Sequence, residues 1–347
     1  MQKPPATRAV PGGFRETCLA AVALLACSLT HPQQGAGAEV GGLLFGDAYY
    51  VASHRSADGE GSRGIVIRRG YLTFDTRFAG TWDARLRFEL NQAGEFESYD
   101  VEVDVKDAFL ARRFGEHRFV FGLSPTPTFD QIEASWGLRY LARTPMDLQG
   151  VASRDTGVAV QGPLNAEGTL SYRLMAGAGL QFGNESGDGR KYMGALTWSA
   201  GERWTVDAYL DHEKLSGPTD RTTWQLFAAF DGASLRWGAQ YSSQDRQSDP
   251  PLELASIYVV SDLGERASLV GRIDRLFEPS VRGENISYLP FDPSAPATMF
   301  IGGLEFRRSP KLRLTPNIVY TRYERNDEGF RPDSDLHLRL TLFLDHE

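Results

Sequence analysis

Arginine is the side chain best placed to do chemistry in this sequence. Arg69, Arg85, Arg87, Arg118, Arg154, Arg173, Arg236 and Arg272 fall in alternating segments, and Arg139 and Arg143 in one long connection. A planar guanidinium meets a carboxylate or a phosphate through paired N–H donors, so such a set would steer or bind anions. The alternative is neutralisation by neighbouring acids, as Asp83 near Arg85 and Asp274 near Arg272 suggest. No nucleophile and base stand together. The six histidines, His31, His54, His117, His212, His337 and His346, have neither the H-x-x-x-H nor the HExxH spacing of a metal site. Cys18 and Cys27 are the only cysteines, so everything after them lacks a thiol for zinc, disulfide or nucleophilic chemistry. No catalytic residue, metal site or cofactor is expected, and no enzymatic activity.

Several partners are excluded by composition. The chain has 347 residues, 45 acidic against 37 basic, for a net charge of −8. Nucleic acid needs a basic face, which this balance does not supply. After residue 30 no apolar run approaches the roughly 18 residues that a helix needs to cross a bilayer. At the N-terminus, Lys3, Arg8 and Arg15 precede the apolar run 18–27, and Ala36-Gly37-Ala38 follows. That order is a secretory signal peptide over residues 1–38, leaving a mature chain of 39–347. A short membrane anchor and lipoprotein processing at Cys27 are the competing readings.

Positioning these arginines requires strands. In 82–91, Trp82, Ala84, Leu86, Phe88 and Leu90 alternate with Asp83, Arg85, Arg87 and Glu89. Period two puts one set on each face of a strand. The same alternation recurs in 203–211 and 336–345, and sixteen candidate segments run from 42–53 to 335–345. Every second connection is a short turn, such as 79–81, 115–116, 163–165 and 231–233; the others are long and polar. Short turns on one rim and long loops on the other are the layout of an outer-membrane barrel. Closure satisfies every backbone N–H and C=O in hydrocarbon, which an open sheet cannot do. The expected fold is therefore all-β: a closed antiparallel transmembrane barrel of about sixteen strands. Trp82, Trp198, Trp204, Tyr241 and Tyr320, near strand ends, are expected at the membrane interfaces.

Three stretches carry a family resemblance: Ile67-Arg68-Arg69-Gly70-Tyr71-Leu72-Thr73-Phe74 with Asp83-Ala84-Arg85-Leu86; Trp136-Gly137 with Ser153-Arg154-Asp155-Thr156-Gly157-Val158 and Gly162; and Gly302-Gly303-Leu304-Glu305-Phe306 with Pro310 and Arg313. Spaced in this order, they resemble the phosphate-selective porin family of Gram-negative outer membranes. The resemblance implies a sixteen-stranded diffusion channel in the outer-membrane lipid, usually a homotrimer, with a long third loop folded into each pore. Two departures matter. The five lysines, Lys3, Lys106, Lys191, Lys214 and Lys311, all lie outside 124–153, so phosphate specificity does not carry over. The chain ends Phe343-Leu344-Asp345-His346-Glu347 rather than on an aromatic residue.

The third long connection, 124–153, is the expected constriction, with an external cap as the alternative. Phe129, Ile132, Trp136 and Tyr140 recur at helical spacing, and Arg139 and Arg143, four apart, would share one helix face. Alternation also places Arg77, Arg112 and Arg313 inward, beside Asp75, Asp83, Glu89, Asp104, Asp207 and Asp274. The function expected is passive diffusion of small hydrophilic solutes with a weak preference for anions of the phosphate kind. A non-conducting structural or adhesive barrel is the alternative.

Overall fold

The computed structural model describes residues 38–92, 101–179, 189–214, 220–247, 250–280, 283–286, 288–289 and 291–346. The export segment 1–38 therefore lies outside the described residues, except for Ala38, which opens the first strand. Sixteen strands are present among them: β1 (Ala38–Ser53), β2 (Arg63–Phe78), β3 (Trp82–Gln92), β4 (Val101–Phe114), β5 (His117–Pro125), β6 (Arg154–Pro163), β7 (Leu170–Gly177) and β8 (Arg190–Ala200), then β9 (Trp204–Lys214), β10 (Arg221–Asp231), β11 (Leu235–Asp245), β12 (Leu252–Asp262), β13 (Ala267–Leu276), β14 (Ala297–Ser309), β15 (Leu312–Tyr323) and β16 (Asp335–Asp345). Each pairs antiparallel with its sequence neighbours, and β1 pairs with β16 to close the barrel. The expected transmembrane architecture is thus the observed one, with both ends of the barrel chain on the short-turn rim.

Burial is inverted relative to a soluble protein. Ile65 (83% exposed), Phe121 (68%) and Leu210 (59%) face outward, as do Leu338, Leu340, Leu342 and Leu344 of β16. Asp47, Asp107, Asp207, Arg272 and Arg339 are buried inside. Aromatic clusters mark both rims. Phe78 stacks on Trp82 beside one short turn, and Trp204 meets Phe230 and Trp237 beside others. Trp224, Tyr241 and Phe277 form a chain at the long-loop end, as Phe300 and Tyr320 do next to it. Rings with an apolar body and a polar edge suit a bilayer interface. Phe343 is different. It points inward, with its ring centroid 4.7 Å from that of Tyr140.

Two bulges change which side chains reach the lumen. Along β2, Phe45 pairs with Arg69 but Gly46 pairs with Ile67, so Arg68 is the extra residue. Parity inverts there, and Arg68 and Arg69 both point inward. A side chain at Gly46 would have its Cβ 2.2 Å from the Val66 carbonyl oxygen, so the close approach at this bulge requires glycine. Along β4, Arg87 pairs with Asp107 but Phe88 pairs with Val105, which makes Lys106 the extra residue. Asp104 and Arg112 have equal parity, and alternation alone puts both inside. The bulge between them sends Arg112 outward, where its guanidinium lies 5.2 Å from the Trp82 ring centroid. The inward residue is Arg113, which lines the lumen cavity at the short-turn rim.

Candidate functional site

The connection from β5 to β6 folds into the barrel. Its neck is closed by the Thr126 N–H donating to the Ser153 carbonyl, 3.1 Å. Helix α1 (Asp130–Trp136) follows, with Asp130 and Glu133 in its first turn, where the helix dipole favours acids. It ends at Gly137, which takes a left-handed conformation (φ 65°) and donates its N–H to the Glu133 carbonyl at 2.9 Å. Helix α2 (Pro145–Leu148) starts on a proline, whose missing N–H costs nothing there. The stop at Gly137 corrects one expectation: Arg139 and Arg143 do not share a helix face. They meet at Asp147 instead, Arg139 at 2.5 Å and Arg143 at 3.8 Å.

Apolar anchors hold this loop against the wall. Trp136, Leu138, Tyr140 and Leu141 are buried among Phe45, Phe227, Tyr258, Val260 and Val270. Full burial of each such side chain is worth about 1.5–3 kcal/mol. Polar contacts fix the register: Trp136 Nε1 donates to the Ala142 carbonyl (2.9 Å), Gln225 Nε2 to the Thr128 carbonyl (2.8 Å), and the Tyr140 hydroxyl to Glu305 (2.6 Å). Burial alone would raise the Asp147 carboxyl; Arg139, Arg143 and Arg69 outweigh it and hold that group well below the usual carboxylate range. Burial raises the Asp130 carboxyl, and Arg173 and Arg154 pull it back only in part.

The facing wall carries cations that share carboxylates. Glu89 lies between Arg69 (2.6 Å) and Lys106 (3.0 Å), and Asp107 between Arg154 (2.5 Å) and Arg87 (3.7 Å). Arg173 pairs with Asp207 at 2.6 Å. Nearer the short-turn rim, Asp83 serves Arg77 (3.1 Å), Arg113 (3.6 Å) and Arg118 (3.8 Å), while Arg85 forks onto Asp75 at 2.7 and 2.8 Å. Arg272 pairs with Asp274 at 2.5 Å and lies against the Trp136 ring. Of the ten arginines singled out from the sequence, all but Arg236 therefore have a carboxylate within 3.8 Å. Arg236 donates to the Trp136 carbonyl at 3.2 Å, at the C-terminal end of α1. A cavity of about 850 Å³ opens between the start of α1 and the β2–β6 wall, lined by Asp75, Asp83, Arg85, Arg113, Arg118 and Asp130.

Sequence reasoning missed the inward Arg68, Arg113 and Arg339, and one inward loop. Arg68 is concealed by its bulge. Arg339 was legible, since it alternates with Leu338 and Leu340. By sequence the connection 277–297 is only one of the long polar loops. Its Ile286, Tyr288, Leu289 and Phe291 are buried against Phe129, Ala142, Met146 and Leu148 of the first loop. Tyr288 sits at φ 59°, in the left-handed region. Its ring centroid lies 4.7 Å from the Arg68 guanidinium, 5.7 Å from Arg143 and 5.8 Å from Arg339. Burial alone would raise this phenol, but Arg143, Arg68 and Arg69 outweigh it and lower it from 10.0 to about 8. A depressed acid stabilises its seat in the ionised form. The contribution is complete above pH 10 and is lost as the pH falls through about 8. Tyrosinate absorbance should therefore show one early step near pH 8 in the folded protein, absent from Tyr288→Phe. An unchanged titration curve in that variant would refute the assignment.

No family model and no curated protein matches the chain by sequence. Solved structures match by shape. An anion-selective porin from Comamonas acidovorans superposes with a TM-score of 0.65 at 12% identity, covering 89% of this chain and 99% of that one. OmpT of Vibrio cholerae, an outer-membrane protein, matches with a TM-score of 0.61 at 11% identity over 91% and 99%. The outer-membrane channel DcaP of Acinetobacter baumannii matches with 0.59 at 15% identity over 90% and 98%. At these identities the likeness is one of fold.

Proposed function

We propose that the chain is a porin of a Gram-negative outer membrane, a water-filled channel for passive diffusion of small hydrophilic solutes. The observation that carries this is a closed barrel with an apolar outer face and a charged bore narrowed by the β5–β6 loop. The neighbours in shape, described as porins and outer-membrane proteins, support it. The finer placement among phosphate-selective porins rests on the three sequence stretches alone. A homotrimer is the assembly we assign, by analogy with the trimer form of OmpT from Vibrio cholerae.

Selectivity in this reading is a weak anion bias. Shared carboxylates, as at Glu89, Asp107 and Asp83, leave local positive excess but not bare arginines. Exposed charges are further screened over roughly 8–10 Å at physiological ionic strength. Planar-bilayer recording tests the proposal: stable single-channel steps are expected, with a small anion-side reversal potential across a salt gradient. Arg139→Ala with Arg143→Ala should shift that potential toward cations, because Asp147 is left uncompensated. Arg85→Ala with Arg87→Ala should shift it the same way. Equal reversal potentials in all three proteins would remove the arginines from the selectivity mechanism. The second reading, a non-conducting structural or adhesive barrel, draws on the packing of two loops against each other inside the lumen; folded protein that inserts without steps would favour it.

A further inference from the structure

The outer wall of a membrane barrel presents apolar side chains to lipid, so a cation on it calls for an explanation. Arg112 is such a cation. The bulge at Lys106 turns it outward, while its neighbour Arg113 turns inward and finds Asp83 at 3.6 Å. Among the described residues the Arg112 side chain has neither an ion pair nor a hydrogen bond. It has two rings instead. Its guanidinium lies over Phe114, 4.3 Å from the ring centroid, and over Trp82 at 5.2 Å. Both rings are braced. Phe78 stacks on Trp82 with centroids 6.3 Å apart, and Phe119 meets Phe114 edge-on at 5.4 Å.

Strand pairing fixes the depth of this cluster. Arg112 stands opposite Trp82, the first residue of β3, and opposite Phe119 of β5. Phe114 is the last residue of β4, so Arg112 lies two residues, about 7 Å, from the end of its strand. An arginine on the lipid face is destabilising at the bilayer centre and close to neutral at the interface. This one therefore stands at headgroup depth. A ring that takes the face of a guanidinium leaves its N–H edge free, and that edge can fork onto two oxygens of a phosphate. The rings also hold the side chain in advance, so less rotamer freedom is lost on binding.

We propose that Arg112, clasped by Trp82 and Phe114, binds the headgroup phosphodiester of a phospholipid in the leaflet at the short-turn rim. The acyl chains then follow the wall toward the bilayer centre, over Leu110 and Phe121, which pair with each other and are both exposed. A phospholipid is the occupant because both halves of its chemistry are met in order along the wall: donors for an anion at the rim, then an apolar slope. The clasp is independent of conduction, since a barrel that carried no current would bind the lipid equally.

Phosphatidylglycerol is the probe. Titrated into the detergent-folded barrel and followed by native mass spectrometry, it should bind Arg112→Gln about tenfold more weakly than the wild type, the ratio that loss of one charge-assisted hydrogen bond gives. Arg112→Lys keeps the charge without the planar fork and should also weaken binding, by less. Heat-modifiable migration checks folding, and the lysine variant decides alone if the glutamine one does not fold. Arg77→Gln removes a cation from the lumen side of the same rim and should bind as the wild type does. Glycerol phosphate, the headgroup without its chains, should not compete. Wild-type affinity in the Arg112 variants would overturn the clasp. Equal losses in Arg112→Gln and Arg77→Gln would overturn it too, since they would mark diffuse attraction, as would competition by glycerol phosphate. A change in subunit number in place of lipid count would make Arg112 a contact between barrels and end the proposal.

Discussion

Deleting residues 130–145 raises the single-channel conductance severalfold. The segment removed contains α1 and the buried anchors Trp136, Leu138, Tyr140 and Leu141, which occupy lumen volume beside β10–β13. The neck survives the deletion, because Pro125 remains paired with Arg154 and Thr126 with Ser153. Barrel closure lies elsewhere, between β1 and β16, so the wall should assemble. Shortening the connection also lowers the entropy cost of closing it. Two side effects follow from the packing. Phe227, Tyr258, Val260 and Val270 become a wetted apolar patch, and Glu305 loses the Tyr140 hydroxyl. Loop 277–296 meanwhile loses Ala142, part of its apolar seat. Single-channel recording is the check. Conductance that stays at the wild-type value would mean that the 277–296 loop, and not the β5–β6 loop, sets the narrowest section.

The largest loss of stability is expected from Asp47→Asn. Asp47 on β1 forms an ion pair with Arg68 of β2, 2.6 Å from its Nε, and accepts hydrogen bonds from Arg68 Nη2 at 3.0 Å and from the Thr341 hydroxyl of β16 at 2.6 Å. Both charged side chains are 1% exposed. One carboxylate therefore ties together three strands at the seam where the chain's first and last strands meet. Replacing it by an amide leaves Arg68 as a buried, uncompensated charge, and breaking such a pair costs about 3–5 kcal/mol. Thr341→Ala removes one bond to a charged group and one neutral bond, from Asn317 Nδ2 at 2.8 Å, but leaves the ion pair intact and should cost less, about 1.5–3 kcal/mol. Denaturant unfolding in detergent measures both, and heat-modifiable migration should fail at lower temperature in the same order. A loss at Asp47 no greater than that at Thr341 would show that water reaches Arg68 and that the seam is not held by this pair.

How far the site was legible depends on the distance over which each feature is decided. Arg69, Arg85, Arg87 and Arg173 were found because inward pointing is a local property: a strand alternates every residue, whatever it pairs with. The same reasoning failed at Arg112 and overlooked Arg68, because a bulge belongs to two strands at once and its signal is a register mismatch. The helical stripe Phe129, Ile132, Trp136 was real, yet Gly137 cut it short and moved Arg139 and Arg143 onto a shared acid.

By itself the sequence determined a sixteen-strand antiparallel barrel, its two unlike rims and the inward course of most of its arginines. Those follow from period-two patterning and from connections between strands that are neighbours in the chain; the one long-range pairing, β1 with β16, is demanded by the need to satisfy every backbone group in hydrocarbon. The sequence offered Asp274 for Arg272 correctly and Asp83 for Arg85 wrongly, since Arg85 pairs with Asp75; tertiary structure alone decided the other acid–arginine pairings, that a second loop enters the lumen, and that Tyr288 lies among Arg68, Arg143 and Arg339. These contacts join residues as far apart as Asp47 and Thr341. They depend on where closure brings distant strands and on which loops the enclosed volume can hold, and no local pattern encodes either.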